Sequence, residues 1–449
     1  MKETQAKKFA VPRGTADILP QEVAVWEKVE TTARAILDLY GYREIRTPIF
    51  EETELFARSM GQTSDVVQKQ MLSLQTQHKG DAEDIAKAGF SLRPEGTAAI
   101  VRSYIENSFE KKEGFSKLFY IGPMFRGERP QKGRLRQFHQ IGVEAMGPGT
   151  ASPLVDAEVI TLSMQLLKAL GINDAKLRVN TLGSVEDKQN FSKYLREQLK
   201  PHLKELCEDC QNRFERNVFR ILDCKNKGCK AVVEKIHLGS APLSTESHQY
   251  FTEVKTALTD LGIKFEHTPS LVRGLDYYTH TVFEISSDAL GSQDALGAGG
   301  RYNNLVTQLG GPQVDAIGFA LGIERILLAM PKEESPKPQG LDAYIIPLDE
   351  PSLKRAFRYL EELRRSVYEF KVKDNIPKNF SIDMGYGLGS LKSQMRAAND
   401  RGARFVVILG ENELEKEKVT LKDMSTGVQE EKDLNDIGAI TVKLAEGSI

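Results

Sequence analysis

The stretch from Phe125 to Glu144, FRGERPQKGRLRQFHQIGVE, constrains the fold more than any other segment of the chain. Apolar runs flank its polar part, LFYIGPMF before and IGVEAMG after. A hydrophobic run, a polar loop holding Pro130 and Gly133, and a second run predict two antiparallel strands joined by a long hairpin. Arg126, Arg129, Lys132, Arg134 and Arg136 make the loop strongly cationic. A solvated hairpin tip would explain a generic charge run. Here Arg126 sits at the strand end instead, Glu128 stands between Arg126 and Arg129, and Phe138 and His139 follow the basic loop. Guanidinium forks beside a flat ring suit phosphate oxygens and a stacked base, the needs of a nucleoside triphosphate.

The remaining chain sets bounds on this reading. Its 449 residues predict two or three domains with ample core. A formal net charge of −2 excludes a uniformly basic surface, so any RNA contact comes from local patches such as the 126–136 loop. No stretch approaches the ~18 apolar residues of a membrane span. The N-terminal MKETQAKKFAVPRGT is basic without an apolar region, unlike a secretory signal, and a cytoplasmic location is the expectation. All four cysteines fall between 207 and 229, which excludes a dispersed disulfide framework.

Residues 1–16 read as an arm. From Pro20, Val23, Trp26, Val29, Ala33, Ile36, Leu37 and Tyr40 recur at helical spacing until Gly41, predicting an amphipathic helix. YREIRTPIF follows as a strand whose Pro48 suits an end or an edge. Residues 75–90 read as a loop or insertion. Arg93-Pro94-Glu95-Gly96-Thr97 is a turn opening a helix, which Glu95 and Thr97 would cap. Residues 154–171 are helical by period, 176–180 form a strand, and 185–267 read as a charged, helical inserted subdomain. In LVRGLDYYTHTVFEI (271–285), Thr281 to Ile285 alternate as a strand. LGAGGRYNNLV (296–306) reads as a glycine-rich loop, since glycine permits positive φ and close backbone approach, but it is not a P-loop. AIGFALGIERILLAM (316–330) runs from strand into helix and puts Arg325 at the helix start, where a buried arginine needs an anionic partner. PKEESPKPQG (331–340) is a linker. Beyond it, strand and helix alternate through DAYIIPL, 351–369, 390–401 and RFVVILG, predicting a small α/β domain with a largely parallel sheet over 341–449.

The 125–144 stretch resembles motif 2 of the class II aminoacyl-tRNA synthetases, in the form found in the histidyl-tRNA synthetase family. Helix, strand and proline over 20–50 resemble motif 1, and 316–330 resembles motif 3. RPEGT, LGAGGRYNNL and above all LVRGLDYYT resemble segments of the histidyl enzymes. The resemblance implies an α+β catalytic domain over 1–330, an antiparallel sheet flanked by helices with a helical insertion near 185–267. It implies an anticodon-binding C-terminal α/β domain and a homodimer formed through motif 1. It also implies a histidine–tRNA ligase: L-histidine and ATP give histidyl-adenylate and pyrophosphate, and histidine then passes to the 3′ end of tRNA(His).

That chemistry joins two anions, so fixed cations and Mg²⁺ should dominate it. By resemblance, Arg126 and Arg273 are catalytic. Arg126, Glu128, Phe138 and Arg325 bind ATP, with Arg126 on the α-phosphate and Phe138 on adenine. Glu95, Gly96 and Thr97 take the amino group, with Arg126, Gln140 and Arg273 around the substrate. Glu144, Tyr277 and Tyr278 read the imidazole, a ring with one donating and one accepting nitrogen. Gln131 and Arg136 touch the tRNA acceptor end. If Arg273 were only structural, Asp276 would be its partner.

Cys207, Cys210, Cys224 and Cys229, spaced C-x₂-C and C-x₄-C, read either as four thiolates holding a structural zinc or as small buried thiols. Two alternatives to the ligase stand beside it. A regulatory paralogue, the subunit of a histidine-biosynthetic ATP phosphoribosyltransferase, should lack Arg273, Arg325 or the C-terminal domain, and this chain keeps all three. A class II synthetase for another amino acid conflicts with LVRGLDYYT.

Overall fold

Pro20 starts the first helix where its missing N–H costs nothing, and Glu22 reaches back to accept from the Leu19 N–H at 3.1 Å. The helix, Pro20–Leu39, buries Val29, Ala33 and Leu37 at spacings of four, and Gly41 leaves it with φ +76°. The computed structural model describes residues 9–62, 64–74, 89–238, 242–291, 294–331, 340–374 and 380–445. The insertion read at 75–90 and the linker at 331–340 fall almost wholly outside these residues. The chain forms two compact units, 1–332 and 333–449.

The first unit is built on an eight-stranded sheet. Its strands are β1 (Arg43–Glu44), β5 (Ser116–Phe125), β6 (Gln137–Met146), β7 (Lys176–Thr181), β8 (Glu266–His267), β9 (Thr279–Ser286), β10 (Ala295–Arg301) and β11 (Ala316–Gly322). They lie in the order β1-β5-β6-β11-β10-β9-β7-β8. The six central strands are antiparallel, and short parallel strands β1 and β8 finish the edges, which makes the sheet mixed. One face is covered by helices Pro20–Leu39, Pro153–Ala169 and Thr245–Asp260 around Phe119, Val143, Phe283 and Phe319. The other face carries Tyr120, Phe138, Tyr277 and Tyr302.

Several elements differ from the expectations. YREIRTPIF is two strands, because Pro48 breaks the ladder: β1 joins the large sheet, while β2 (Phe50–Glu52) pairs with β4 (Phe90–Leu92) beside β3 (Leu72–Ser73). The glycines of 296–301 lie in strand β10, not in a loop, and the strand's register against β9 shifts at Ala295/Gly297 and Gly300/Arg301. The helical stretch 185–267 is divided. Phe191, Leu195, Phe214, Ile221 and Val232 form a core of their own, whereas helix Thr245–Asp260 sends Phe251, Val254 and Leu258 into the main core.

The second unit has the sheet order β13-β12-β14-β15-β16. Strands β12 (Ala343–Pro347), β13 (Ile382–Met384) and β14 (Phe405–Leu409) are parallel, with helices Glu350–Asp374 and Leu391–Asp400 on their connections. An antiparallel hairpin of β15 (Lys418–Asp423) and β16 (Gln429–Asp433) completes it, an addition to the parallel sheet expected.

Candidate active site

Strand β6 sets out the site by its period of two. Phe138, Gln140, Gly142 and Glu144 fall on the open face, while His139, Ile141, Val143 and Ala145 face the helices. Phe138 therefore lies under Arg126, whose guanidinium carbon is 5.3 Å from the ring centroid. His139 points the other way, edge-on to Trp26 at 4.9 Å and 2.9 Å from Glu324, so it takes no part in the cationic cluster. Arg126 is fixed by donating Nε to the Pro94 carbonyl at 2.9 Å. Burial pulls its pKa down, opposed by Glu128 and Glu95. Glu128 also pairs with Arg134 at 3.9 Å.

Glu144 is fully buried and accepts hydrogen bonds from Thr97 Oγ1, at 2.6 Å, and from the Tyr302 hydroxyl. Its register partner on β11 is Gly318, where any Cβ would overlap the carboxylate. Burial pushes Glu144 up to about 8 against the pull of its two hydroxyl partners. Tyr302 was missed by sequence reasoning, although it lies within the quoted glycine-rich segment. Tyr277 and Tyr278, expected beside Glu144, are buried in the same cluster with ring centroids 4.6 Å apart, and Tyr277 meets Tyr302 edge-on at 5.7 Å. The hydroxyls bonded to the carboxylate are those of Thr97 and Tyr302.

Glu95 accepts from the backbone N–H groups of Thr97 at 2.7 Å and Ala98 at 2.9 Å, capping helix Thr97–Glu106. Gly96 has no room for a side chain because the Tyr120 ring crosses it. Gln140 Oε1 is buried with no protein donor among the described residues. Arg273 does not pair with Asp276. It donates to Glu284 at 2.6 Å, and Arg178 takes the other oxygen of that carboxylate at 2.7 Å. Asp276 is instead held by Asn217 Nδ2 at 2.5 Å, and Lys188 donates to the carbonyls of Asp276 and Tyr278 at 2.6 and 2.9 Å. Arg325 lies in helix Ile323–Ala329 and bridges the Gly133 carbonyl, at 3.1 Å, to that of Ala295.

On the hairpin loop, Gln131 is exposed at a tight turn closed by backbone bonds with Arg134. Arg136 is more committed than expected, since it donates to the carbonyls of Glu128 and Arg13, both at 3.3 Å. The four cysteines converge, their sulfurs all within 4.8 Å of one another, in the inserted helical core. Among the described residues they are the only cluster of three or more potential metal ligands. The carboxylates of Glu95, Glu144 and Glu284 are each engaged by protein donors.

The long β5–β6 hairpin, with Arg126 over Phe138 and Glu144 buried behind it, follows the plan of a class II aminoacyl-tRNA synthetase. Residues 14–326 match the histidyl-tRNA synthetase family model, and 342–444 match the anticodon binding domain. The chain is 45% identical to a histidine–tRNA ligase of Geobacillus sp. (strain WCH70), covering 96% of this chain and 97% of that protein. It is 43% identical to a histidine–tRNA ligase of Halothermothrix orenii, covering 94% and 96%. The crystal structure of apo S. aureus histidyl-tRNA synthetase superposes with a TM-score of 0.75 at 35% identity, covering 98% of this chain and 100% of that one. The chain belongs to the histidyl-tRNA synthetase family.

Proposed function

We propose that this chain joins L-histidine to tRNA(His) in two steps at the pocket above β6. In the first, a carboxylate oxygen of histidine attacks the α-phosphorus of MgATP and pyrophosphate leaves. In the second, a ribose hydroxyl at the 3′ end of tRNA attacks the activated carbonyl and AMP leaves. Arg126 and Arg273 meet the α-phosphate where negative charge accumulates, an electrostatic contribution that needs no rearrangement if the donors are already placed. Phe138 stacks on adenine, Glu128 assists the nucleotide, and Arg325 covers its far side. Mg²⁺ supplies charge neutralisation on the phosphates and arrives with them.

The observation that carries the choice of amino acid is Glu144, a buried carboxylate held by two hydroxyls on the pocket floor. Such a group selects a ring N–H over an apolar side chain, because a misfit leaves it unpaired. Tyr277 and Tyr278 wall the ring, Glu95, Gly96 and Thr97 receive the amino group, and Gln140 uses its unpartnered oxygen on the substrate. Gln131 and Arg136 meet the acceptor end, Arg136 while bracing the loop, and the second unit reads the anticodon.

The active form is a cytoplasmic homodimer assembled through the motif 1 helix Pro20–Leu39. No described helix is long and apolar enough to cross a membrane. Light scattering should give twice the mass of one chain, and a single-chain mass at micromolar concentration would refute the dimer. ATP-dependent charging of a tRNA(His) transcript with labelled histidine tests the activity as a whole. A regulatory paralogue would bind ligands and leave the transcript uncharged, whereas this chain should charge it.

A further inference from the structure

The insertion has a small hydrophobic core, resting on residues such as Phe191, Phe214, Ile221 and Val232. Bodies of this size commonly need a staple. All four cysteines of the chain meet inside it, Cys210, Cys224 and Cys229 buried and Cys207 half-buried, and none is in a disulfide. Their sulfurs lie within 4.8 Å of one another, with Cys207 and Cys224 at 3.9 Å. A tetrahedral ion bound ~2.3 Å from each sulfur places the sulfurs about 3.8 Å apart, so the cluster needs only slight contraction. The local backbone is already turned for this. The Cys207 N–H donates to Cys229 Sγ at 3.2 Å, and Asn226 Oδ1 accepts from the Gly228 N–H at 2.9 Å inside the second cysteine pair.

The segment between the two pairs, 211–223, reaches the pocket loop. Asn217 Nδ2 holds Asp276 Oδ1 at 2.5 Å. Arg213 and Arg220 both donate to Asp65 Oδ2, at 3.1 and 3.2 Å, and Arg220 Nη1 would lie 3.1 Å from a Cβ at Gly274. Residues 273–278 carry Arg273, Tyr277 and Tyr278.

We propose that Cys207, Cys210, Cys224 and Cys229 hold one Zn²⁺ as a closed four-thiolate site, and that this clip keeps Asn217 and Arg220 seated against the 273–278 loop. Four thiolates leave no open coordination position, so the ion is structural and acts on the reaction only through the loop. The second half of the proposal rests on the histidine-pocket reading given above.

Metal analysis of the reduced, full-length protein purified without chelator should find about one zinc per chain. Its four thiols should titrate only as the ion is released, and exchange into Co²⁺ should give the visible absorption of a tetrahedral thiolate complex. Removing zinc should raise KM for histidine about tenfold and KM for ATP by no more than about twofold, as expected for loss of one loop contact. Added Zn²⁺ should restore both. Cys210→Ser and Cys229→Ser should each lose the metal, and if they fail to fold, the metal count and thiol titration on the unaltered protein decide. Metal-free native protein with four freely titrating thiols, or with two disulfides, would overturn the site. Zinc removal that leaves KM for histidine unchanged would overturn the clip. A zinc-loaded protein that cannot activate histidine would refute the pocket reading while leaving the metal count standing.

Discussion

Arg273 and Glu284 are joined at 2.6 Å, and the second oxygen of Glu284 is held by Arg178 at 2.7 Å. One carboxylate thus fixes two guanidiniums, and Asp294 adds a second anion 3.6 Å from Arg178. Arg273 Nε is buried with no protein partner among the described residues.

Arg273→Ala should slow adenylate formation by roughly 10²–10³ in rate with a smaller change in KM, because the contact is made mainly in the transition state. Single-turnover adenylation on mutant protein shown to be folded by circular dichroism measures this. Near wild-type adenylation in a folded mutant would remove Arg273 from the mechanism. A loss that merely follows the unfolded fraction would reduce it to an anchor for Glu284.

Glu144 offers a pH test. With its folded pKa near 8 and an ordinary glutamate value of about 4.3, the folded state binds the extra proton between those limits. Stability from this group therefore falls as pH rises through that window, and Glu144→Gln should lose the slope. Neutral imidazole donating to an ionised Glu144 must expel the carboxyl proton. KM for histidine should then fall as pH rises from ~6.5 to 8, by at most about tenfold per unit, while KM for ATP stays level. The Gln variant should bind histidine weakly at every pH. An unchanged histidine KM in that variant would place Glu144 outside the pocket.

Gly318→Ala tests the packing that shapes the carboxylate. Its Cβ would overlap the Glu144 carboxylate and the Val143 carbonyl, the latter a backbone atom that cannot swing aside. Overpacking of this kind costs about 1–3 kcal/mol. Thermal unfolding should show that loss, together with a raised histidine KM. An unaltered Tm and KM would mean that the sheet has more room at this point than its register implies.

The legible parts of the sequence were those with a strong local period. The two apolar runs around the basic loop marked the hairpin strands, whereas the side on which Phe138, Gln140 and Glu144 lie emerges only from the sheet. Spacing from Val29 to Leu37 fixed the first helix face. What stayed hidden depends on partners distant in sequence. Glu284 is meaningful only once Arg178, more than a hundred residues earlier, lies beside it. Tyr302 becomes a site residue only because β10 and β11 bring it to Glu144. The glycines of β10 read as a loop because their small size serves strand-to-strand packing that no local pattern encodes. Helix Thr245–Asp260 has the same amphipathic period whichever core it joins, so its departure from the insertion was invisible.

The most direct test is ATP–pyrophosphate exchange measured with each of the twenty amino acids in turn. A buried carboxylate bonded to Thr97 and Tyr302 predicts exchange supported by histidine and at background with the other nineteen. Exchange driven by a different amino acid, or no exchange with histidine by folded protein, would contradict the account.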